Sequence, residues 1–228
     1  MRNRFRCIVC VGVAAVLLSP LGLRPATAQE RPGSWYLMGG VALESQNGES
    51  GESFQTYVAA PAGLSLGWWV AGGRFTSSRV SAEGEMAATG IMRARQQSRY
   101  GYTYNLERQD IYLGFNIRLH AGRAGDVHIE PVVGAGIVLH RSWSQADWNT
   151  NWPAPGGAVE HGPRSQNSTL DNLYLSGGVD FRVGGRHVAF VPSFRVRLND
   201  STKGLQSRWP GGYPHVTFSG GGSVRIDF

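Results

Sequence analysis

HVTFSGGGSVRIDF, running from His215 to Phe228, alternates two chemistries residue by residue. Val216, Phe218, Val224, Ile226 and Phe228 fall on one parity, and Thr217, Ser219, Ser223, Arg225 and Asp227 fall on the other. A strict period of two is the mark of a β-strand with one oily and one hydrophilic face. The preceding segment obeys the same rule, with Val188, Phe190, Phe194, Val196 and Leu198 opposed to Ser193, Arg195 and Arg197. So does the one before it, where Leu173, Leu175, Val179, Phe181 and Val183 oppose Tyr174, Asp180 and Arg182. Between these two stands Gly184-Gly185, a tight-hairpin signal.

Upstream the rule recurs five times. The oily rows are Trp35 to Leu43, Leu64 to Val70, Val80 to Met86, Ile111 to Leu119 and Val127 to Leu139. Their opposite faces carry Trp69, Glu83, Glu85, Tyr112, Asn116, Arg118 and Glu130. No segment after residue 28 holds a sustained 3.6-residue apolar period, and none approaches 18 consecutive apolar residues. The reading is all-β with eight strands. Connections alternate in length. They are long at 44–61, 88–107, 143–170 and 199–214, and short at 72–78, 120–125 and 184–185. A soluble sandwich also alternates, but mid-strand charges on the polar faces, from Glu83 to Arg225, and loops long at one end only fit a closed barrel with lipid outside.

The first 28 residues read as a signal peptide. Arg2, Arg4 and Arg6 precede the apolar run Cys7 to Leu18, Pro20 breaks it, and Ala26-Thr27-Ala28 has the small-x-small form of a cleavage site. Residues 29–228 are then one barrel domain. Both cysteines, Cys7 and Cys10, lie in the leader, which removes a disulfide or thiolate-metal framework from the rest. The leader also holds four of the 22 basic residues and no acid, so the net charge falls from +6 to +2 in the remainder. That balance gives no reason to expect nucleic-acid binding.

The chain resembles the OmpA/OmpX-type family of small outer-membrane β-barrels. The resemblance rests on the leader ending Ala26-Thr27-Ala28, the alternating loop lengths and the last strand Gly222-Ser223-Val224-Arg225-Ile226-Asp227-Phe228. It implies an eight-stranded antiparallel up-and-down transmembrane barrel in the outer membrane, with both mature termini periplasmic. It also implies that the C-terminal Phe228 serves as the insertion signal read by the barrel-insertion machinery. Outer-membrane lipid and lipopolysaccharide are the implied surroundings.

An eight-stranded lumen is narrow enough to be filled by side chains. Glu83, Glu85, Arg118, Glu130, Asp180, Arg182, Arg195, Arg197 and Arg225 are expected to form a nearly charge-balanced network inside it. A second expectation is an external surface for a protein or glycan, formed by Tyr100, Tyr102, Tyr104, Trp148, Trp152, Trp209 and Tyr213, with Trp143, Arg164 and Arg208 beside them. Trp35, Tyr36 and Phe228 are expected at the periplasmic rim, and Trp143 and Phe218 nearer the outside. Glu44, Glu49 and Glu52 are placed in the first loop, where weak calcium binding competes with a merely solvated acidic loop.

The expected function is a non-enzymatic, envelope-structural barrel with loops outside and no cofactor. A narrow porin-like channel is the alternative. A lipid A-modifying hydrolase is a third reading, because His140 and Ser142 stand in a His-x-Ser arrangement. Here Trp143 replaces the Asn of that motif, and strand parity turns both residues inward. The six histidines show no zinc spacing.

Overall fold

The computed structural model of the protein describes residues 32–46, 50–53, 56–59, 63–97, 102–149, 157–185, 187–199 and 216–228. The leader and the expected mature start at Gln29 lie outside these residues. Eight long strands make the fold: β1 (Trp35–Gln46), β2 (Gly63–Phe75), β3 (Val80–Ala88), β4 (Tyr102–Leu119), β5 (Val127–Asn149), β6 (Ser165–Gly184), β7 (Val188–Asn199) and β8 (Val216–Asp227). Each pairs antiparallel with the next. β8 then pairs with β1 from Tyr36↔Asp227 to Gln46↔Thr217, which closes the sheet on itself.

Closure matters because backbone N–H and C=O groups facing hydrocarbon must be satisfied within the protein. The seam is tied beyond the strands, where the Phe228 amide donates to the Trp35 carbonyl (2.8 Å), and the neighbouring β1–β2 pair is tied in the same way by the Gly33 amide on the Phe75 carbonyl (2.8 Å). Both ends of the barrel chain thus lie at the end carrying the short connections 76–79, 120–126 and 185–187. Gly184 has φ 131°, a value open to glycine and strained for other residues, and it lets the β6–β7 hairpin turn tightly.

Pleating sends alternate residues outward. On β4 the outward row is Ile111, Leu113, Phe115, Ile117 and Leu119, and the last four are exposed. Leu37, Val41 and Leu43 on β1, Leu64, Leu66 and Trp68 on β2, Phe190 and Phe194 on β7, and Val224 and Ile226 on β8 continue this oily wall around the barrel. The inward positions are mostly polar or aromatic, with Met38, Ala71, Ala87, Val138 and Val191 buried among them. Close packing there needs missing side chains: a Cβ on Gly114 would occupy the place of the Tyr174 hydroxyl, and one on Gly73 would meet the Tyr36 ring.

Three features depart from the sequence reading. First, the expected long loops 88–107 and 143–170 are mostly strand. Met92–Gln97 pairs with β4 from Arg108 to Thr103, β5 runs on to Asn149, β6 starts at Ser165, and Val159–His161 pairs with β5. Tyr102 and Trp148 accordingly sit opposite one another in paired strands, not in loops. These segments are polar on both faces, so no oily row marks them as strand. Second, Tyr36 is buried in the interior and is no part of a rim girdle, whereas Trp35, Phe218 and Phe228 are exposed. Third, Glu44 lies within β1 with its side chain buried; Glu52 lies in the short strand Ser50–Ser53, and Glu49 falls outside the described residues.

The oily wall gives a depth-dependent expectation. Phe115→Arg, at the middle of the β4 outward row, should cost about 2–4 kcal/mol in denaturant titrations of the folded protein in bilayers, against about 0–1 for Leu119→Arg at the rim. Equal costs at the two depths would contradict a lipid-facing wall.

Candidate functional site: the charged interior

The nine charged residues of the expected lumen network, together with others that sequence reasoning left out, have buried side chains inside the barrel. They are arranged in tiers. In the lowest, near the short turns, Arg118 (0 % exposed) is the hub. Its guanidinium donates to Glu83 (3.0 Å), Glu130 (3.1 Å) and Asp180. Arg225 bonds Glu130 (3.3 Å) and Asp227 (2.8 Å), Arg182 bonds Asp227 (3.0 Å), and Arg195 donates to Asp180 (2.8 Å). Neutral groups complete the tier. Tyr36 donates to Glu83 (2.8 Å), Asn116 bridges Glu83 (3.1 Å) and Glu85 (3.0 Å), and His120 Nδ1 lies 2.9 Å from Glu130. The guanidinium carbon of Arg225 also stands 4.2 Å from the Tyr36 ring centroid, a cation–π approach.

Above this, Arg197 joins Glu44 (3.1 Å) and Glu85 (3.0 Å) and stacks on Tyr112 at 4.7 Å. Tyr112 meets Tyr174 edge to face, with centroids 5.2 Å apart. Glu44, Glu85, Arg195 and Arg197, with Trp69, Ser193 and Ser219, line a cavity of about 10 Å³, the room of roughly one water molecule. In the uppermost tier Arg108 grips Asp110 (3.0 Å), and His140 Nδ1 lies 2.7 Å from the same carboxylate. Ser142 is buried on the inward side of β5 as well.

Charge is nearly balanced. Among the described residues the interior acids are Glu44, Glu83, Glu85, Asp110, Glu130, Asp180 and Asp227, met by Arg108, Arg118, Arg182, Arg195, Arg197 and Arg225 with His120 and His140 alongside. Packing, pairing and tyrosine stacking leave no bare column of one sign along the axis. Among the described residues no group of His, Cys, Asp and Glu is arranged to hold a metal. Glu44, Tyr36, Asn116, Arg108 and Asp110 were absent from the expected network. Asp110 and Asn116 already stood on the polar face of the β4 alternation but were not counted in the network; Glu44 was hidden by assignment to a loop.

Tyr102, Tyr104 and Trp148 lie in the extended part of the β4–β5 ladder; Tyr100, Trp152, Trp209 and Tyr213, with Arg208, fall outside the described residues. In this extension Asp147 accepts from Asn105 (2.6 Å), and His161 Nδ1 lies 2.9 Å away. The His161 hydrogen bond, with that of Asn105 behind it, holds the Asp147 carboxyl below the usual carboxylate range.

A closed eight-stranded sheet with hydrocarbon-compatible residues outside and paired ions inside defines a class, the small transmembrane β-barrels. Several solved structures are similar to the chain at low identity. Ail, the attachment invasion locus protein of Yersinia pestis, is 12 % identical over 86 % of this chain and 100 % of its own, with a TM-score of 0.41. OprG of Pseudomonas aeruginosa is 8 % identical over 86 % of this chain and 97 % of its own (TM-score 0.45), and the N-terminal barrel of OprF from the same organism is 11 % identical over 87 % and 100 % (TM-score 0.35). No protein-family model and no curated protein matches the chain.

Two outcomes are expected. Arg118→Met removes the ion-pair partner of Glu83 and one partner each of Glu130 and Asp180, and should destabilise the barrel by about 3–5 kcal/mol, whereas Arg93→Ala, on an exposed pair, should change stability by less than about 1 kcal/mol; denaturant titration in lipid compares them. Because the folded Asp147 carboxyl titrates below its unfolded value, its contribution is present above the ordinary carboxylate range and is lost as pH falls through the lower, folded value. The hydrogen-exchange protection factor of the Gly162 amide, which donates to Ala146 (2.8 Å), should therefore hold at neutral pH and drop only below the ordinary carboxylate range.

Proposed function

We propose that this chain is a non-enzymatic outer-membrane barrel that acts as a rigid, closed pillar of the envelope and carries a contact surface outside. In this reading residues 1–28 direct export and are removed, the short turns and both mature termini face the periplasm, and Phe228 ends the strand read by the insertion machinery. The long connections and the β3–β6 extensions then project outward, where they meet lipopolysaccharide, a protein or a glycan. No nucleic acid and no cofactor has a role.

The observation that carries the reading is the Arg118 hub, whose three carboxylate partners come from three different strands and shut the lumen near its lower end. Transport needs a continuous path of water or of one sign of charge, and a tier of crossed ion pairs offers neither. Hydrolysis of a membrane lipid is disfavoured by position. His140 and Ser142 face the interior, and His140 is engaged by Asp110.

Planar-bilayer recording of the refolded protein tests this. The wild type should be electrically silent, and Arg118→Ala combined with Arg225→Ala should admit small ions. Discrete unitary openings of the wild type would replace the pillar with a narrow channel.

A further inference from the structure

Inside the barrel arginines are matched by acids; on one part of its outer wall they are not. The outward rows of β4 and β5 run in register, and the pair Ile111↔Leu139 is the last in which both residues are apolar. The next outward pair is Gln109↔Arg141, and the next is Glu107↔Trp143. The residues between them, Arg108, Asp110, His140 and Ser142, are the buried inward set, so the parity is unambiguous. One residue pair therefore separates oil from a cationic surface.

That surface is built from three arginines around one tryptophan and one carboxylate. Arg141 stands 5.2 Å and Arg164 5.9 Å from the centroid of Trp143. Arg164 and Arg93 both reach Glu107, Arg93 at 2.9 Å, and their side chains are 58 % and 74 % exposed. Glu107 thus orients two guanidiniums while neutralising only one charge. Arg141 makes no ion pair among the described residues, and Arg95 lies exposed two residues beyond Arg93 on the same face. Each guanidinium carries five N–H donors, most of which remain available.

We propose that this patch, Arg93, Arg141 and Arg164 around Trp143, binds the phosphate of an outer-leaflet lipid headgroup. Guanidinium forks match phosphate oxygens in pairs, and orientation by Glu107 lowers the ordering cost of that match. Trp143 has the amphipathic ring suited to the boundary between hydrocarbon and headgroup. Location selects the ligand. Tails anchored beside Leu113, Ile137 and Leu139 place a headgroup at the height of Arg141, which a free anion has no reason to prefer. The phosphate is that of a glycolipid such as a phosphorylated diglucosamine lipid. The inference rests on the outer-membrane placement proposed above.

Native mass spectrometry of the full barrel from phosphatidylcholine bilayers doped with bis-phosphorylated lipid A, or with the same lipid lacking phosphates, tests it. The wild type should retain the phosphorylated lipid selectively, and Arg141→Gln with Arg164→Gln should lower retention about tenfold, the equivalent of roughly 1.4 kcal/mol, while heat-modifiable mobility stays that of the wild type. Equal retention of the two lipids by the wild type overturns the proposal without recourse to any variant. Displacement of lipid A by inorganic phosphate at matched concentration overturns it in favour of a soluble-anion site. Failure to fold in any bilayer would instead sink the outer-membrane reading, which keeps the two failures apart.

Discussion

A sheet immersed in hydrocarbon has no water to satisfy its edge, and the pairing of β8 with β1 removes that edge. The rest of the molecule follows from this closure. Once the strands form a ring, residues of one parity face outward and must be apolar, and residues of the other face a lumen only a few side chains wide. The outward set needs little specificity, because lipid accepts Leu, Val, Ile and Phe alike. The inward set needs a great deal, since eight strands converge on one axis and their side chains must fit and neutralise one another. Glycines at positions such as Gly114 and Gly73 make this possible by yielding space to the tyrosines opposite.

Within the lumen, the number of partners per ion decides between a plug and a liability. Removing a charge from water costs several kcal/mol even after relaxation, and one partner seldom recovers it. Arg118 has three carboxylates, Glu130 is met by Arg118, Arg225 and His120, and Asp180 by Arg118 and Arg195. The lower tier is thereby cross-linked around the ring: β3, β4, β5, β6, β7 and β8 each contribute a charge. The Arg197 tier is looser. It has two carboxylates, a stacking tyrosine and a small cavity beside it. The interior is therefore most densely ion-paired at the end that carries the short turns.

The period of two made the faces legible from sequence: Leu113 outward and Tyr112 inward, Phe190 outward and Arg195 inward, with no long-range information needed. It could not reveal who meets whom. Arg197 and Glu44 are 153 residues apart and become partners only when the ring closes. Tyr36 was misjudged because its aromatic type was weighed above its parity, one residue from outward Trp35. Trp148 was read as loop because its stretch lacks the oily row that marks the strands below it, and Tyr102 was assigned to a connection although 99–104 alternates as a strand does. The same missing oily row hid the fact that Arg93, Glu107, Arg141 and Arg164, drawn from four stretches of sequence, share one face.

Inner and outer arginines thus obey different rules, and the difference follows from their surroundings. An unmatched arginine in the lumen has no solvent and no mobile counter-ion, so an excess there would oppose folding. An unmatched arginine just above the oily wall stands where water ends and the polar parts of lipids begin, and a counter-charge can arrive after folding. Glu107 shows the distinction on a single strand. It is one outward position above the Gln109 pair and shared by two exposed arginines, whereas Asp110, facing the other way, is enclosed by Arg108 and His140. The first arrangement leaves cationic capacity open to a partner from the membrane; the second consumes it within the protein.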